Sequence, residues 1–299
     1  MRFQRYSHPL GVPPGRSWPK ISIVTPSFNQ GFFLEKTIIS VLQQGYPNLE
    51  YFIIDGGSTD NSIEIIQKYQ KYLAWWVSEK DRGQSHAINK GFAKATGELL
   101  GWLNSDDYFL PNAFFKLAGA YLENPSVGAV YGRGHIVNQK GRVVYTPDHR
   151  QVTYDSLFAW SYGNNFMQPS CLVASKAWNE CGPLDESLHF AMDLDLYLKI
   201  AKKFEFKRIV SVLTHSVGHG KAKTASLATR NLMFVDMAIC YMKHGRVDAA
   251  RRLLEDQAKS LSEKEVLIRY MDSHFFLKMI LSFVKRKIGR DKFSLTQWD

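Results

Sequence analysis

The chain has 299 residues, 45% hydrophobic and 13% aromatic, enough for one large globular domain or a domain with an appendage. Its 38 Lys+Arg against 28 Asp+Glu give a net charge of +10, a balance that suits nucleic acid, anionic lipid or phosphorylated ligands and is silent about fold. Three cysteines without a C-x-x-C pair point to a reducing cytoplasm rather than a disulfide framework, and the lack of a signal-peptide core or of a run of about 18 apolar residues argues against secretion and membrane spanning.

Residues 1–19, rich in Pro, Gly and Arg, read as a surface arm. From Ile21, I-S-I-V-T predicts a buried strand that Pro26 stops. Phe33, Ile38, Val41 and Leu42 fall at helical spacing over 32–43, and Gly45 closes that helix. Y-F-I-I-D predicts a second strand ending in Asp55. D-G-G-S-T-D then turns the chain into a helix over 61–72, with Gly56 and Gly57 permitting the turn and Ser58, Thr59 or Asp60 available as cap. A third strand, A-W-W-V-S, leads through E-K-D-R-G-Q to a helix bearing Ala87, Ile88 and Phe92. The fourth, from Leu99 to Leu103, ends abruptly in Asn104, Ser105, Asp106 and Asp107. This alternation predicts a parallel sheet with helices on both faces.

After Pro111 the pattern changes. A helix over 112–122 precedes a hairpin, 127–138 with 139–145, whose turn holds Gly141. Residues 154–165 are aromatic and poorly periodic, as a loop or short helix over a site would be. S-C-L-V-A-S reads as a strand, 189–203 as a loop that becomes a helix, 206–215 as a strand, and everything beyond Thr224 as helix. Within that last part 273–292 is apolar and strongly basic together, which suits either a helical bundle packed on the domain or a surface helix on anionic lipid. The expected division is an arm over 1–19, a main domain over 20–224 with halves 20–110 and 111–224, and a helical region over 225–299.

T-P-S-F-N-Q, D-G-G-S-T-D, D-R-G-Q and N-S-D-D all fall at predicted strand ends, and a parallel sheet would gather them along one edge, where ligands bind. Asp55, Asp106 and Asp107 there would repel a bare nucleotide unless a divalent cation stood between them and its phosphates. Asp55 is free to accept from a base N–H or to form the turn, and Asp106 or Asp107 can cap the turn before Pro111. No G-x-G-x-x-G follows the first strand, and neither G-x-x-x-x-G-K-[ST] nor G-x-S-x-G occurs. His215 and His219 stand four apart, but S-V-G between them lacks a catalytic Glu and Gly218 disfavours helix.

I-S-I-V-T-P-S-F-N-Q, T-I-I-S-V-L-Q-Q-G-Y-P-N-L-E-Y, I-D-G-G-S-T-D-N-S, S-E-K-D-R-G-Q-S-H-A-I-N-K-G-F and T-G-E-L-L-G-W-L-N-S-D-D, in that order, resemble glycosyltransferase family 2. The likeness runs from about Pro19 to Tyr131, with a weaker echo to Thr224. It implies an α/β GT-A fold: a Rossmann-like, mostly parallel central sheet with helices on both faces, to which a C-terminal helical appendage is added. It also implies that Pro26, Ser27 and Asn29 line a nucleotide pocket, that Asp55 contacts the base, and that Arg82, Gly83 and Asn89 border the diphosphate. N-S-D-D matches the family's D-x-D motif with Asn104 in the first acidic position, beside the ribose with Ser105. Asp106 then makes the metal contact, with Asp107 and His219 as further ligands of Mn2+ or Mg2+.

A-M-D-L-D-L-Y-L-K resembles the family's acidic catalytic segment, with Met192 in place of its usual Glu. Asp193 matches the general base, and Asp195 a cap or orienting group near the acceptor. G-H-G-K-A-K-T resembles the basic segment near the leaving diphosphate, which Lys223 would neutralise. Trp160, Tyr162 and Gln168 are candidate acceptor contacts. The implied activity is inverting, metal-dependent sugar transfer from a nucleotide-diphosphate sugar, with UDP as the default, to a glycan or lipid-linked acceptor. The implied setting is bacterial surface polysaccharide or glycolipid synthesis in the cytoplasm, at the inner face of an anionic membrane, without a nucleic-acid partner. The alternative is a non-catalytic basic protein that binds nucleic acid or anionic membrane, against which the full set of strand-end acidic motifs stands.

Overall fold

The computed structural model describes residues 15–163, 166–220 and 222–260. Its first half alternates as the apolar runs require: β1 (Ile21–Ser27), α1 (Gly31–Leu42), β2 (Leu49–Asp55), α2 (Ser62–Tyr69), β3 (Trp75–Ser78), α3 (Gln84–Phe92) and β4 (Leu99–Trp102). There follow β5 (Asp107–Phe109), α4 (Ala113–Glu123), β6 (Ala129–Asn138), β7 (Val143–Tyr145), β8 (Cys171–Ala174), α5 (Ser175–Cys181), α6 (Met192–Ala201), β9 (Phe206–Gly218), α7 (Leu227–Lys243) and α8 (Val247–Ser260). One sheet takes the order β3-β2-β1-β4-β8-β6-β9-β5, with β7 on β6. Strands β3, β2, β1 and β4 run parallel to one another, whereas β8 runs antiparallel to both β4 and β6.

Successive residues of a strand point to opposite faces, and here each face has its own core. Ile21, Ile23, Ile53 and Leu99 pack with Leu34 and Ile38 of α1, Ile66 of α2 and Phe114 of α4. Val24, Phe52, Ile54, Leu100 and Trp102 pack on the other side with Ile88 of α3, Leu196 of α6 and Met237 and Tyr241 of α7. A sheet covered on both faces explains why its central strands are unbroken apolar runs. Gly91 lets α3 approach β1 closely, since a Cβ there would stand 2.6 Å from Val24 Cγ2.

Three elements depart from the expectations. β5, where the sequence predicts no strand, exists because it pairs antiparallel with β9, which continues to Gly218 rather than stopping near His215. The short helix α5 follows β8 directly where no helix was expected. By contrast, the short 3-10 helix Ser156–Tyr162 agrees with the loop or short helix expected in that aromatic stretch. The basic apolar stretch 273–292 lies outside the described residues, among which no helix is long and apolar enough to cross a membrane.

Candidate active site

The carboxyl ends of β1, β2 and β4 open toward one side of the sheet, where a cavity of about 860 Å³ is walled by both halves of the chain. Pro26, Ser27, Gly83, Asn104, Ser105, Asp106 and Asp107 line it from the first half, and Trp160, Gln168, Asp193 and Lys223 from the second. Sequence-distant groups thus meet on one surface.

Asn104 is held from two sides, accepting from Gln84 Nε2 at 2.6 Å and donating to Asp107 Oδ2 at 3.1 Å. Asp107 is buried, and its carboxyl is bonded to Asn104 and to the Ser216 side chain. Burial, with Asp106 beside it, pushes this carboxyl well above the usual carboxylate range. Asp106 turns the other way. Its Oδ2 stands 3.0 Å from His219 Nε2, and the His219 ring stacks on Phe33 with centroids 4.2 Å apart. Asp106 lines the cavity and the buried His219, which does not, pairs with it, so that one oxygen and one nitrogen stand side by side. Ser105 is buried, its carbonyl accepting from Thr37 Oγ1.

Other expected residues brace the loops around the cavity instead of lining it. Asp55 is fully buried and accepts from the Gly57 and Ser58 amides and from the Ser58 and Ser78 hydroxyls, fixing the turn after β2. Asn29, at φ 51°, accepts from the Thr59 amide and so joins the loops after β1 and β2. Asn89 makes two bonds with the Leu184 backbone, and Arg82 forks onto Glu186 at 2.9 and 3.1 Å. None of these four residues lines the cavity.

Asp193 sits in the first turn of α6, half-buried, its Oδ1 accepting from the Leu194 amide at 2.8 Å. Burial raises its carboxyl to about 6, further helped by Asp236 and opposed by Lys223 and local amides. Asp195 lies behind it, only 1% exposed, bonded to His244 Nε2 at 2.9 Å and Lys199 Nζ at 2.6 Å, and it does not reach the cavity. Lys223 crosses toward the first half, donating to Gln84 Oε1 at 3.0 Å and to the His189 carbonyl. Trp160 packs on Phe166 and Tyr197, whereas Tyr162 donates to Asp256 of α8.

Gln84, which bridges Asn104 and Lys223, was missed within the D-R-G-Q stretch that named its neighbours Arg82 and Gly83. Its position at the start of a helix after a strand end was the available signal. Gln168 donates to the Trp102 carbonyl, but its Oε1 and the Trp102 Nε1 are buried without a hydrogen-bond partner among the described residues, and both side chains line the cavity. Such groups cost free energy unless something polar meets them.

Comparison with known proteins gives this arrangement a context. A sequence model of glycosyl transferase family 2 matches residues 22–182, more than half of the chain. A chondroitin synthase of Escherichia coli is 26% identical over 206 residues, covering 68% of this chain and 29% of that protein, so the chain spans less than a third of its length. Among solved structures, S. aureus TarS in complex with UDP superposes with a TM-score of 0.59 at 16% identity, over 82% of this chain and 73% of that one. The mannosyltransferase PcManGT of Pyrobaculum calidifontis, in complex with GDP-Man and Mn2+, does so with a TM-score of 0.59 at 16% identity, over 89% and 84%. These likenesses show the GT-A-like fold.

Proposed function

We propose, because this chain belongs to glycosyl transferase family 2, that it transfers a sugar from a nucleoside-diphosphate sugar to an acceptor hydroxyl with inversion at the anomeric carbon. The observation that carries this reading is that one cavity gathers the strand-end groups of β1 and β4, the half-buried Asp193 and the Lys223 ammonium. A UDP-sugar is the favoured donor, since TarS is described with UDP, and PcManGT, described with GDP-Man, makes a guanosine donor the competing case.

The donor set at the cavity edge fits a divalent cation. A carboxylate oxygen and an imidazole nitrogen already converge at 3.0 Å, and this mixed pair suits Mn2+ better than the oxygen-seeking Mg2+, the other positions being open to phosphate oxygens and water. Asp106 and His219 would hold it, with Asp107 as the neighbour that fixes Asn104. When bound, the ion supplies charge stabilisation for the departing diphosphate. Lys223 places a further positive charge on the same side, and Gln84 keeps it in register with Asn104.

Asp193 is the general base. A carboxyl raised to about 6 is mostly ionised at neutral pH yet basic enough to take a proton from a hydroxyl as it attacks. Attack opposite the leaving group in one displacement gives inversion. Trp102 Nε1 and Gln168 Oε1 supply one donor and one acceptor for sugar hydroxyls, and Trp160 an apolar ring face. The acceptor is a glycan or lipid-linked glycan in polysaccharide or glycolipid assembly, and the enzyme works in the cytoplasm at the inner membrane face. The direct test is Asp193→Asn. We expect it to abolish release of UDP from UDP-sugars in the presence of Mn2+ while leaving UDP binding unchanged; turnover at the parent rate contradicts the assignment.

A further inference from the structure

Helix α6 carries the base but opens without a cap of its own. Its N-cap residue is Ala191, whose side chain accepts nothing, and the amides at such an end need partners. The partner comes from another element. Asp236 of α7 accepts from both the Phe190 amide, at 2.6 Å, and the Ala191 amide, at 3.0 Å, through the same oxygen, Oδ2. Two residues further on stands Asp193. A second strut grips the same helix, His244 at the end of α7 meeting Asp195 at 2.9 Å.

We propose that Asp236 is a positioning residue for Asp193: from α7 it holds the Phe190 and Ala191 amides at the entry to α6 and so sets a second carboxyl near the base. This rests on the reading of Asp193 as general base. The C-terminal helices are then part of the catalytic apparatus, and α7 is the element through which they act. A carboxylate is suited to the place twice over, since it accepts both amides and is favoured at the positive end of a helix dipole. The charged and titratable groups around Asp193 come from three elements. Lys223 belongs to the segment after β9, Asp236 and Cys240 to α7, and Tyr197 to α6 itself, with His189 facing Asp236. Asp236 opposes ionisation of Asp193 and Lys223 favours it. Removing the Asp236 charge should therefore let Asp193 lose its proton at lower pH.

Because one oxygen takes both amides, Asp236→Asn can keep those bonds while losing the charge, and Asp236→Ala loses both. The test is carboxyl-carbon NMR titration of the full chain labelled at aspartate, with the Asp193 signal identified by its loss in Asp193→Asn, together with amide hydrogen exchange. In Asp236→Asn the Asp193 midpoint moves to lower pH and exchange at Phe190 and Ala191 stays near the parent rate. In Asp236→Ala those two amides exchange about fivefold to tenfold faster, the equivalent of one lost helix cap. An unmoved midpoint in Asp236→Asn, or parent exchange rates in Asp236→Ala, overturns the proposal. Neither readout involves turnover, so a failure here is distinct from a failure of Asp193 as base.

Discussion

Single residues first: access to the cavity separates two neighbouring carboxylates. Asp193 and Asp195 are two positions apart on α6. Asp195 is closed off, paired with Lys199 and hydrogen-bonded to His244, whereas Asp193 faces the cavity with its carboxyl raised to about 6 by burial. A base works only when deprotonated, so activity should be full above that value and fall as pH drops through it. A pH profile of kcat from 4 to 8 checks this, with an acid limb expected at about 6; a limb near 4, the ordinary carboxylate range, would show that Asp193 is not the titrating group. N-S-D-D stands out in the sequence because polar residues end an apolar run there, and A-M-D-L-D only through its resemblance to the family's acidic segment. Gln84 and Asp236 do not stand out, because what they touch is chosen by elements distant in the chain.

At the scale of elements, the strand ends opposite the site are knitted by Glu50. It accepts from Ser22 of β1 at 2.7 Å and from the Thr96 amide and hydroxyl before β4, and it pairs with Lys20 at 3.3 Å. Burial alone would raise its carboxyl, but these bonds outweigh burial and hold it at about 2. A folded value below the ordinary 4.5 means that the stabilisation is present above that pH and is lost as pH falls through about 2. Glu50→Gln should cost about 2 kcal/mol at neutral pH and flatten the acid dependence of stability. Urea unfolding of both forms between pH 2 and 6 measures it, and parallel curves would contradict the role. The strands Glu50 joins were evident from their apolar runs. Strand direction was not: β8 lies antiparallel between β4 and β6, and β5 has only three residues, created by its pairing with β9. Such pairings depend on long-range partners that a local window does not contain.

At the scale of the whole molecule, the cavity exists only where the two halves meet. The strand-end half brings Asn104 and Asp106, the later half brings Asp193 and Lys223, and α7 closes the back with Met233, Phe234 and Met237. The apolar lining from α7 and the aromatic segment gives the later half the character of an acceptor wall, while the polar strand ends suit a nucleotide and its phosphates. On the proposed function, this cavity binds a nucleoside diphosphate through a divalent cation on Asp106. The most direct measurement is the melting temperature of the full chain with UDP or GDP, each with Mn2+ or with EDTA, beside the Asp106→Asn variant. Ligand at about 100 times its dissociation constant adds roughly 2.7 kcal/mol to the folded state, a readily visible shift. We expect one diphosphate to raise the melting temperature only with Mn2+, and the variant to lose that rise. No rise for either diphosphate, or an equal rise in EDTA and in the variant, would rule out a metal-bridged diphosphate at Asp106.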